Sequence, residues 1–319
     1  MASLILSNDE LLSARIRMGE IELIFDTSAL RGISLERLRA FSANKVRMVA
    51  SPFCAFEGIR HLDDEKDFGK YRALMKKIDE VGVAHVPTYE SSDELGLVNF
   101  NRRKKDDKAF AAAIAKYSAR FDSIDEVETT ELINTGDGRR ILLGELVAKM
   151  RERIEEIHKE HMDCFHKYKA LAVGVMDANG KQTFDAESLV MATGQIWLSF
   201  HKNEEIRTCE LEGFMRYYPH LGGLFYRYFN DRTSAEMGGV APTMKDGVDY
   251  RVTLHLGMNS SRILVSKDDG MHITPLRGIV PAYNAFMQKL TKGNLFMRDI
   301  PLVLSLEDLS RLELSQPLA

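Results

Sequence analysis

Four acidic residues lie where the sequence predicts strands to end or helices to begin. Asp26 and Asp268 each come at the end of an apolar, strand-like run. Glu57 lies on a helix that follows another such run, and Asp249 opens a later helix. Carboxylate oxygens are the ligands that Mg²⁺ and Mn²⁺ prefer in proteins, and four carboxylates brought together would repel one another without a cation. The pattern therefore predicts an acidic pocket for one or two divalent cations.

A pocket of this kind has a well-defined chemistry. One or two bound cations can activate a water molecule and stabilise the charge on the attacking and leaving oxygens of a phosphodiester. A side-chain nucleophile is then unnecessary. For Asp26 alone there is a competing interpretation, because Asp before Thr27 and Ser28 is also typical of a helix N-cap.

The elements that must position these acids alternate between strand and helix in both end portions of the chain. Helix starts are predicted at Ser34 and Pro52, and a last helix is predicted to begin with Ser305 as its cap. Since the carboxyl ends of parallel strands meet at one edge of a sheet, residues far apart in sequence can meet there. Strands are predicted over five short ranges: 21–25, 46–50, 83–87, 262–266 and 300–304.

The middle of the chain has a different pattern. Residues 141–168 carry apolar side chains at helical spacing on a heavily charged segment, and β-branched runs are few. Residues 231–248 lack periodicity and are interpreted as a loop. We therefore predict three portions: the first part of an α/β domain at 1–95, a helical insertion at 96–240, and the second part of the domain at 241–319.

Composition limits the classes of protein and of location. The chain has 319 residues, 45% of them apolar, and a net charge of -4, which excludes a protein that coats nucleic acid by bulk positive charge. The three cysteines (Cys54, Cys164 and Cys209) form no Cys-x-x-Cys pair, as is typical of a reducing compartment. There is no run of eighteen apolar residues. We expect a cytoplasmic protein that does not span a membrane.

Several segments resemble the blocks of a PIN-like nuclease domain, in that family's order. The segments are residues 24–30, residues 49–57, Asp249 with the helix after it, and residues 263–268. The resemblance extends over roughly residues 20–95 and 245–319 and leaves the middle without a counterpart. It implies a three-layer α/β/α sandwich with a mainly parallel, Rossmann-like sheet. It also implies a metal-dependent nuclease, usually an endoribonuclease and often a toxin or defence effector.

The resemblance also implies roles for particular residues. Thr27 or Ser28 would support the metal site through hydroxyl hydrogen bonds. The implied cofactor is Mg²⁺ or Mn²⁺, and the implied partners are nucleic acid, RNA rather than DNA, and an inhibitor protein or a second copy of the chain. The residues expected to bind the metal and carry catalysis are Asp26, Glu57, Asp249 and Asp268.

Two positions in this set have competitors in the sequence. Asp246 and Asp107 compete with Asp249 as the third acid, since each also stands near a helix start. Asp269 competes with its neighbour Asp268 as the fourth. A different class of function also fits the pattern, namely a catalytically inactive PIN-like scaffold that binds a protein or nucleic acid through its helical insertion.

Overall fold

A computed structural model gives the architecture of most of the chain. A four-stranded sheet lies at its centre, and all of its strand pairs are parallel. The model describes residues 8–62, 64–84, 98–128, 130–134, 140–172, 220, 243–258, 260–291, 298–312 and 314. The strands of the central sheet are β1 (Glu22–Phe25), β2 (Arg47–Ala50), β5 (Arg262–Ser266) and β6 (Val303–Ser305). They lie side by side in the order β2-β1-β5-β6.

Helices connect and flank these strands, and the predicted α/β class with a mainly parallel sheet is confirmed. The arrangement is compatible with a three-layer sandwich. The helices of the two end portions are α1 (Asn8–Arg17), α2 (Thr27–Gly32), α3 (Leu35–Ala43), α4 (Pro52–Ile59), α5 (Phe68–Val81), α8 (Met244–Val252), α9 (Thr274–Thr291) and α10 (Leu306–Arg311).

The chain places β1 and β5 at the middle of the sheet. Both strands are almost wholly buried, as expected for parallel strands covered on both faces. From β1 the chain builds outward through β2 to Val83, which forms a parallel bridge with Ala50. It later returns to the other side of β1 with β5 and β6. The order in which strands are added to the sheet therefore reverses between β1 and β5, which makes this a topological switch point. Ligands of open α/β sheets bind at the carboxyl ends of the strands at such a reversal point.

Local sequence signals explain where several helices start. Ser34 accepts a hydrogen bond from the backbone of Arg37, and Ser51 caps α4 with Pro52 in its first turn. Ser305 and Asp308 form a capping box at α10. Of the strand predicted at 83–87, Val83 forms a parallel bridge with Ala50, and residues 85–87 lie outside the described part of the chain.

The middle portion contains helices α6 (Val98–Ser118) and α7 (Leu143–Ala172) and an antiparallel hairpin of β3 (Leu132–Asn134) and β4 (Arg140–Leu142). The helix predicted from residue 141 therefore begins later, because Ile141 pairs with Ile133 in the hairpin. Helix α6 packs on α4 and α5, and α7 packs on α8 and α4. Ile114 and Leu146 belong to the same hydrophobic core as the sheet.

The predicted loop at 231–248 is wrong at its end, because α8 already begins at Met244. Asp246 accepts hydrogen bonds from the backbone and the hydroxyl of Thr243, at 2.8 and 2.6 Å. This capping interaction satisfies the backbone N–H of Thr243 and so favours a helix start five residues before Asp249. Among the described residues, no helix is long and apolar enough to cross a membrane.

The amino end of the sheet is held by paired charges. Glu22 at the start of β1 lies 3.3 Å from Arg47 of β2 and 2.8 Å from Arg262 of β5. Arg298 is buried, and its guanidinium donates to five backbone carbonyls. Those carbonyls belong to Gly257, Ser260, Arg262, Ile300 and Pro301.

Candidate acidic site at the carboxyl edge of the sheet

Asp26 lies at the carboxyl end of β1 and is 2% exposed. Its carboxylate caps α2 by accepting a hydrogen bond from the backbone N–H of Ala29 at 2.6 Å, so the capping interpretation is confirmed. The same carboxylate accepts from the hydroxyls of Ser28, at 2.9 Å, and Ser266, at 2.5 Å. Asp26 therefore both caps a helix and stands at the point where the sheet reverses its direction of building.

The two serines connect Asp26 with the chain that leaves β5. Ser28 Oγ accepts from the backbone N–H of Lys267 at 2.9 Å, and Ser266 Oγ accepts from that of Asp268 at 2.9 Å. Each hydroxyl thus accepts from the β5 exit while donating to Asp26. This network fixes the carboxyl ends of the two central strands against each other.

His272 is the fourth donor to Asp26, and it is fully buried. Its Nδ1 lies 3.1 Å from Asp26 Oδ2, and its Nε2 lies 2.9 Å from the backbone carbonyl of Asp249. Both ring nitrogens face acceptors, so both carry protons. Burial alone would lower the pKa of His272, but the hydrogen bond and charge of Asp26, with Asp249, raise that pKa to about 9. His272 is therefore an imidazolium that neutralises part of the acidic charge.

Asp268 follows β5 and caps a π-helical turn at Asp269–Ile273. One of its carboxylate oxygens accepts from the backbone N–H of Met271 at 2.8 Å. Its neighbour Asp269 is exposed and accepts from the hydroxyl of Thr274 at 2.9 Å. Of the two neighbours, Asp268 is the one whose charge acts on Asp249.

Asp249 is partly buried in α8, and its carboxyl group lies within the field of the other three acids. Burial raises the pKa of Asp249 to about 7; the charge of His272 opposes this shift, and the charges of Glu57, Asp26 and Asp268 add to it. Asp246 is used in the capping interaction at Thr243 instead. The side chain of Asp107 lies outside the described residues.

Glu57 is 7% exposed on α4, in the helix that starts at the carboxyl end of β2. The neighbouring thiol of Cys54 has its pKa raised by burial, and the charges of Asp26 and Glu57 add to the effect. Thr27 is buried and hydrogen-bonds to Cys54, so it contacts the wall of the site, whereas Ser28 contacts Asp26 itself. The structure thus brings Asp26, Glu57, Asp249 and Asp268 to one edge.

A second pair of buried polar groups holds this edge from behind. Ser51, at the end of β2, lies 2.9 Å from Nε2 of His255, and both residues are fully buried. His255 lies in the 3-10 turn Thr253–His255 that follows α8. The contact fixes the end of α8, and with it Asp249, against the strand that leads to Glu57.

The four acids lie near one another without being tightly clustered. A tight cluster is one in which three His, Cys, Asp or Glu side chains have ligand atoms within 4.8 Å of one another. Within the described residues, only His61, Asp64 and Asp67 form such a cluster. That set already contacts cations: Arg60 donates to His61 at 3.0 Å and Lys70 to Asp67 at 2.7 Å. No three of Asp26, Glu57, Asp249 and Asp268 have ligand atoms this close together. Their side chains must therefore move towards one another to bind a shared cation.

Sequence reasoning missed Ser266 and His272. Ser266 is the last residue of β5, and a polar residue at the carboxyl end of a buried strand was an available signal. His272 lies four residues after Asp268 in a π-helical turn, a geometry that no spacing in the sequence indicates. Hereafter the carboxyl-edge site means the four acids with Ser28, Ser266 and His272.

Comparison of the chain with models of protein families, with curated proteins and with solved structures found no match.

Proposed function

We propose that the protein is a metal-dependent nuclease that hydrolyses phosphodiester bonds, with RNA as the preferred substrate. The observation that carries the proposal is the gathering of four acids at the carboxyl edge with a single described imidazolium to balance them. An acid with a raised pKa, such as Asp249, at the reversal point of an open parallel sheet is typical of a functional site. The order Val83, β2, β1, β5, β6 is that of a doubly wound sheet, which supports the finer description as a Rossmann-like, PIN-like sandwich.

The free acceptor positions of the acids suit Mg²⁺ or Mn²⁺. Among the described residues, no donor contacts the carboxylate of Glu57 or Asp249, and Asp268 has one of its oxygens engaged. These three residues would hold the cation, since carboxylate oxygens are its preferred ligands and theirs are not all occupied by donors. When bound, the cation lowers the pKa of water and stabilises charge on phosphodiester oxygens.

Asp26 has a different position in this proposal. Its carboxylate receives four donors, from Ala29, Ser28, Ser266 and His272, and these fill about four lone-pair positions. Asp26 joins the cation ligands only if His272 withdraws its Nδ1 hydrogen bond. Otherwise it is a positioning residue that fixes the exit of β5 and hence Asp268.

The same observation favours a second candidate, a catalytically inactive scaffold. A buried imidazolium already supplies a positive charge to Asp26, and the acids are spaced more widely than a cation requires. In this case the carboxyl-edge site stabilises the fold around His272, and the middle portion of the chain binds a protein or nucleic acid.

Incubation of the purified chain with labelled RNA, single-stranded DNA and double-stranded DNA, with Mn²⁺ or with EDTA, separates the candidates. We expect cleavage of RNA that requires Mn²⁺ and falls by about 100-fold in Asp249→Asn, which loses a cation ligand, and by about 10- to 100-fold in Asp26→Asn, which loses a residue that positions the ligands. The matched control is Asp125→Asn, an exposed acid far along the chain, which should cleave as the wild type does.

Cleavage that persists in EDTA, or in Asp249→Asn, would rule out the metal-dependent nuclease. Absence of cleavage on all three substrates, together with a chain that unfolds cooperatively, would favour the scaffold. A further readout distinguishes the roles of Asp26: if it only positions Asp268, Asp26→Asn weakens Mn²⁺ binding less than Asp249→Asn does.

A further inference from the structure

A cleft of about 480 Å³ opens beside the carboxyl-edge site, between α2, α5 and the chain that leaves β5. Four cations line it, and no acid is among its described lining residues. The cations are Arg31, Lys70, Lys77 and Lys267. The whole chain has a net charge of -4, so this concentration of positive charge is a local feature that bulk composition conceals.

The cations of the cleft differ in how they are engaged. Lys77 donates to the backbone carbonyl of Leu30 at 2.6 Å, and Lys70 pairs with Asp67 at 2.7 Å. Arg31 and Lys267 are exposed, and among the described residues neither side chain makes a hydrogen bond or an ion pair. Two of the four cations are therefore available to an anion without breaking a contact.

Gly32 lets Lys267 reach the cleft. A methyl group at Gly32 would lie 2.5 Å from Cδ of Lys267, so the lysine stem crosses the end of α2 where a side chain would block it. Lys267 is exposed overall, and its Nζ lies 3.3 Å from the position of that methyl group, so the stem and the ammonium group both pass close to Gly32. Lys267 is thus held over the cleft.

Ser28 connects the cleft to the carboxyl-edge site. It lines the cleft, and its hydroxyl donates to Asp26 while accepting from the backbone of Lys267. Lys267 itself stands between Ser266 and Asp268 in sequence. An anion held by the cleft would therefore lie next to the acids proposed to hold the cation.

We infer that this cationic cleft binds consecutive phosphate groups of a nucleic-acid strand and delivers the strand to the carboxyl-edge site. The identity of the ligand rests on the proposed function. No aromatic side chain is among the described lining residues, so the cleft contacts backbone phosphates and does not stack bases. Phosphate contacts of this kind carry no sequence information. The neighbouring acids repel an extended anionic surface such as a membrane, whereas a strand can present single phosphates to the cations.

The experiment measures binding without cleavage. A labelled oligoribonucleotide of about 12 nucleotides is titrated with the full chain in EDTA, by fluorescence anisotropy, at several salt concentrations. The test variant is Arg31→Gln with Lys267→Gln, which removes the two unengaged cations. The matched control is Lys45→Gln with Lys116→Gln, which removes two exposed cations that, like Arg31 and Lys267, make no hydrogen bond or ion pair with their side chains among the described residues.

We expect the test variant to bind about 25-fold more weakly than wild type at about 0.1 M salt. For a single strand, each phosphate contact contributes about 0.7 to the slope of log affinity against log salt concentration, so two lost contacts lower the log affinity at 0.1 M by about 1.4 relative to 1 M salt. Its slope should be shallower by about 1.4, which is two contacts. The control should keep the wild-type slope. Oligoribonucleotides of unrelated sequence should bind alike.

Equal losses in the test and control variants would overturn the inference, because binding would then follow net charge. Absence of wild-type binding at low salt would overturn it too, as would binding of anionic lipid vesicles that the oligoribonucleotide does not displace. Failure of the nuclease proposal looks different: the cleft variant then loses binding while no chain cleaves RNA. If wild type cleaves RNA and the test variant binds RNA as wild type does, the nuclease proposal stands and the proposed role of the cleft is wrong.

Discussion

The two ends of the same parallel strands carry charge in opposite ways. At the amino end, Glu22 lies between two arginines, and Arg298 donates to five carbonyls. At the carboxyl end, four acids share the single described imidazolium of His272, and the pKa of Asp249 rises to about 7, chiefly through burial and also through its acidic neighbours. Glu22 at the amino end is therefore paired with opposite charges, whereas the acids at the carboxyl end lie near other acids.

This difference separates stability from function within one sheet. Paired or hydrogen-bonded buried charges stabilise the fold, whereas buried like charges destabilise it unless a ligand compensates them. A fold retains such destabilising groups mainly where activity depends on them. Substitutions at the two ends should therefore change the free energy of unfolding in opposite directions.

The largest effect is expected at the amino end. Arg298→Met should lower the free energy of unfolding by about 3 kcal/mol or more, because the buried carbonyls lose their charged donor. Urea denaturation followed by circular dichroism measures this. Arg277→Met is the control, since Arg277 is an exposed residue paired with Asp308, and its loss should change stability by less than about 1 kcal/mol. Equal losses of stability in the two variants would show that the hydrogen bonds of Arg298 do not stabilise the fold more than an exposed ion pair does.

At the carboxyl edge, Asp249→Asn should stabilise the protein in EDTA at pH 8 by about 1 to 2 kcal/mol, since it removes a buried like charge. The same variant should lose the stabilisation by Mn²⁺ that wild type gains from binding the ion in its folded state. Thermal unfolding with and without Mn²⁺ gives both results. A destabilised Asp249→Asn would contradict the comparison of the two ends.

Two groups at the carboxyl edge should each make the stability fall as the pH rises. The pKa of Asp249 is raised from 3.8 to about 7, so its contribution is complete below pH 3.8 and lost as the pH rises through 7. The pKa of His272 is raised from 6.5 to about 9, so its contribution is complete below pH 6.5 and lost as the pH rises through 9. In EDTA, Asp249→Asn should reduce the fall in stability between pH 3.8 and about 7. His272→Gln should reduce the fall in stability between pH 6.5 and about 9. His220 and His61 have lowered pKa values, so their contributions rise as the pH increases towards 6.5, and the test is therefore the difference between wild type and each variant. A variant whose pH profile runs parallel to that of wild type would exclude the corresponding shift.

The smallest effect is expected for Glu22→Gln. It weakens two partly exposed ion pairs and should cost about 1 kcal/mol. Nuclease activity of the folded variant should equal that of wild type, because Glu22 lies at the opposite end of β1 from Asp26. Loss of activity without loss of stability would mean that the two ends are coupled.

Much of the fold was predictable from local signals. The strands at β1, β2 and β5, the cap at Ser51 with Pro52, and the capping box at Ser305 follow from apolar runs and helix-start residues. The hairpin of β3 and β4 was missed, because long-range pairing outweighed the helical periodicity that includes Ile141. The start of α8 was missed because a short capping interaction lies inside a segment without apolar periodicity.

The candidate site divides in the same way. By itself the sequence determined that Asp26, Glu57, Asp249 and Asp268 stand at element ends, since strand ends and helix starts depend on neighbouring residues. Only the tertiary structure decided that His272 neutralises Asp26, that Asp246 is engaged as a cap, and that a cationic cleft adjoins the acids. Those relations join residues from different elements, and their burial and charge exist only once the elements pack.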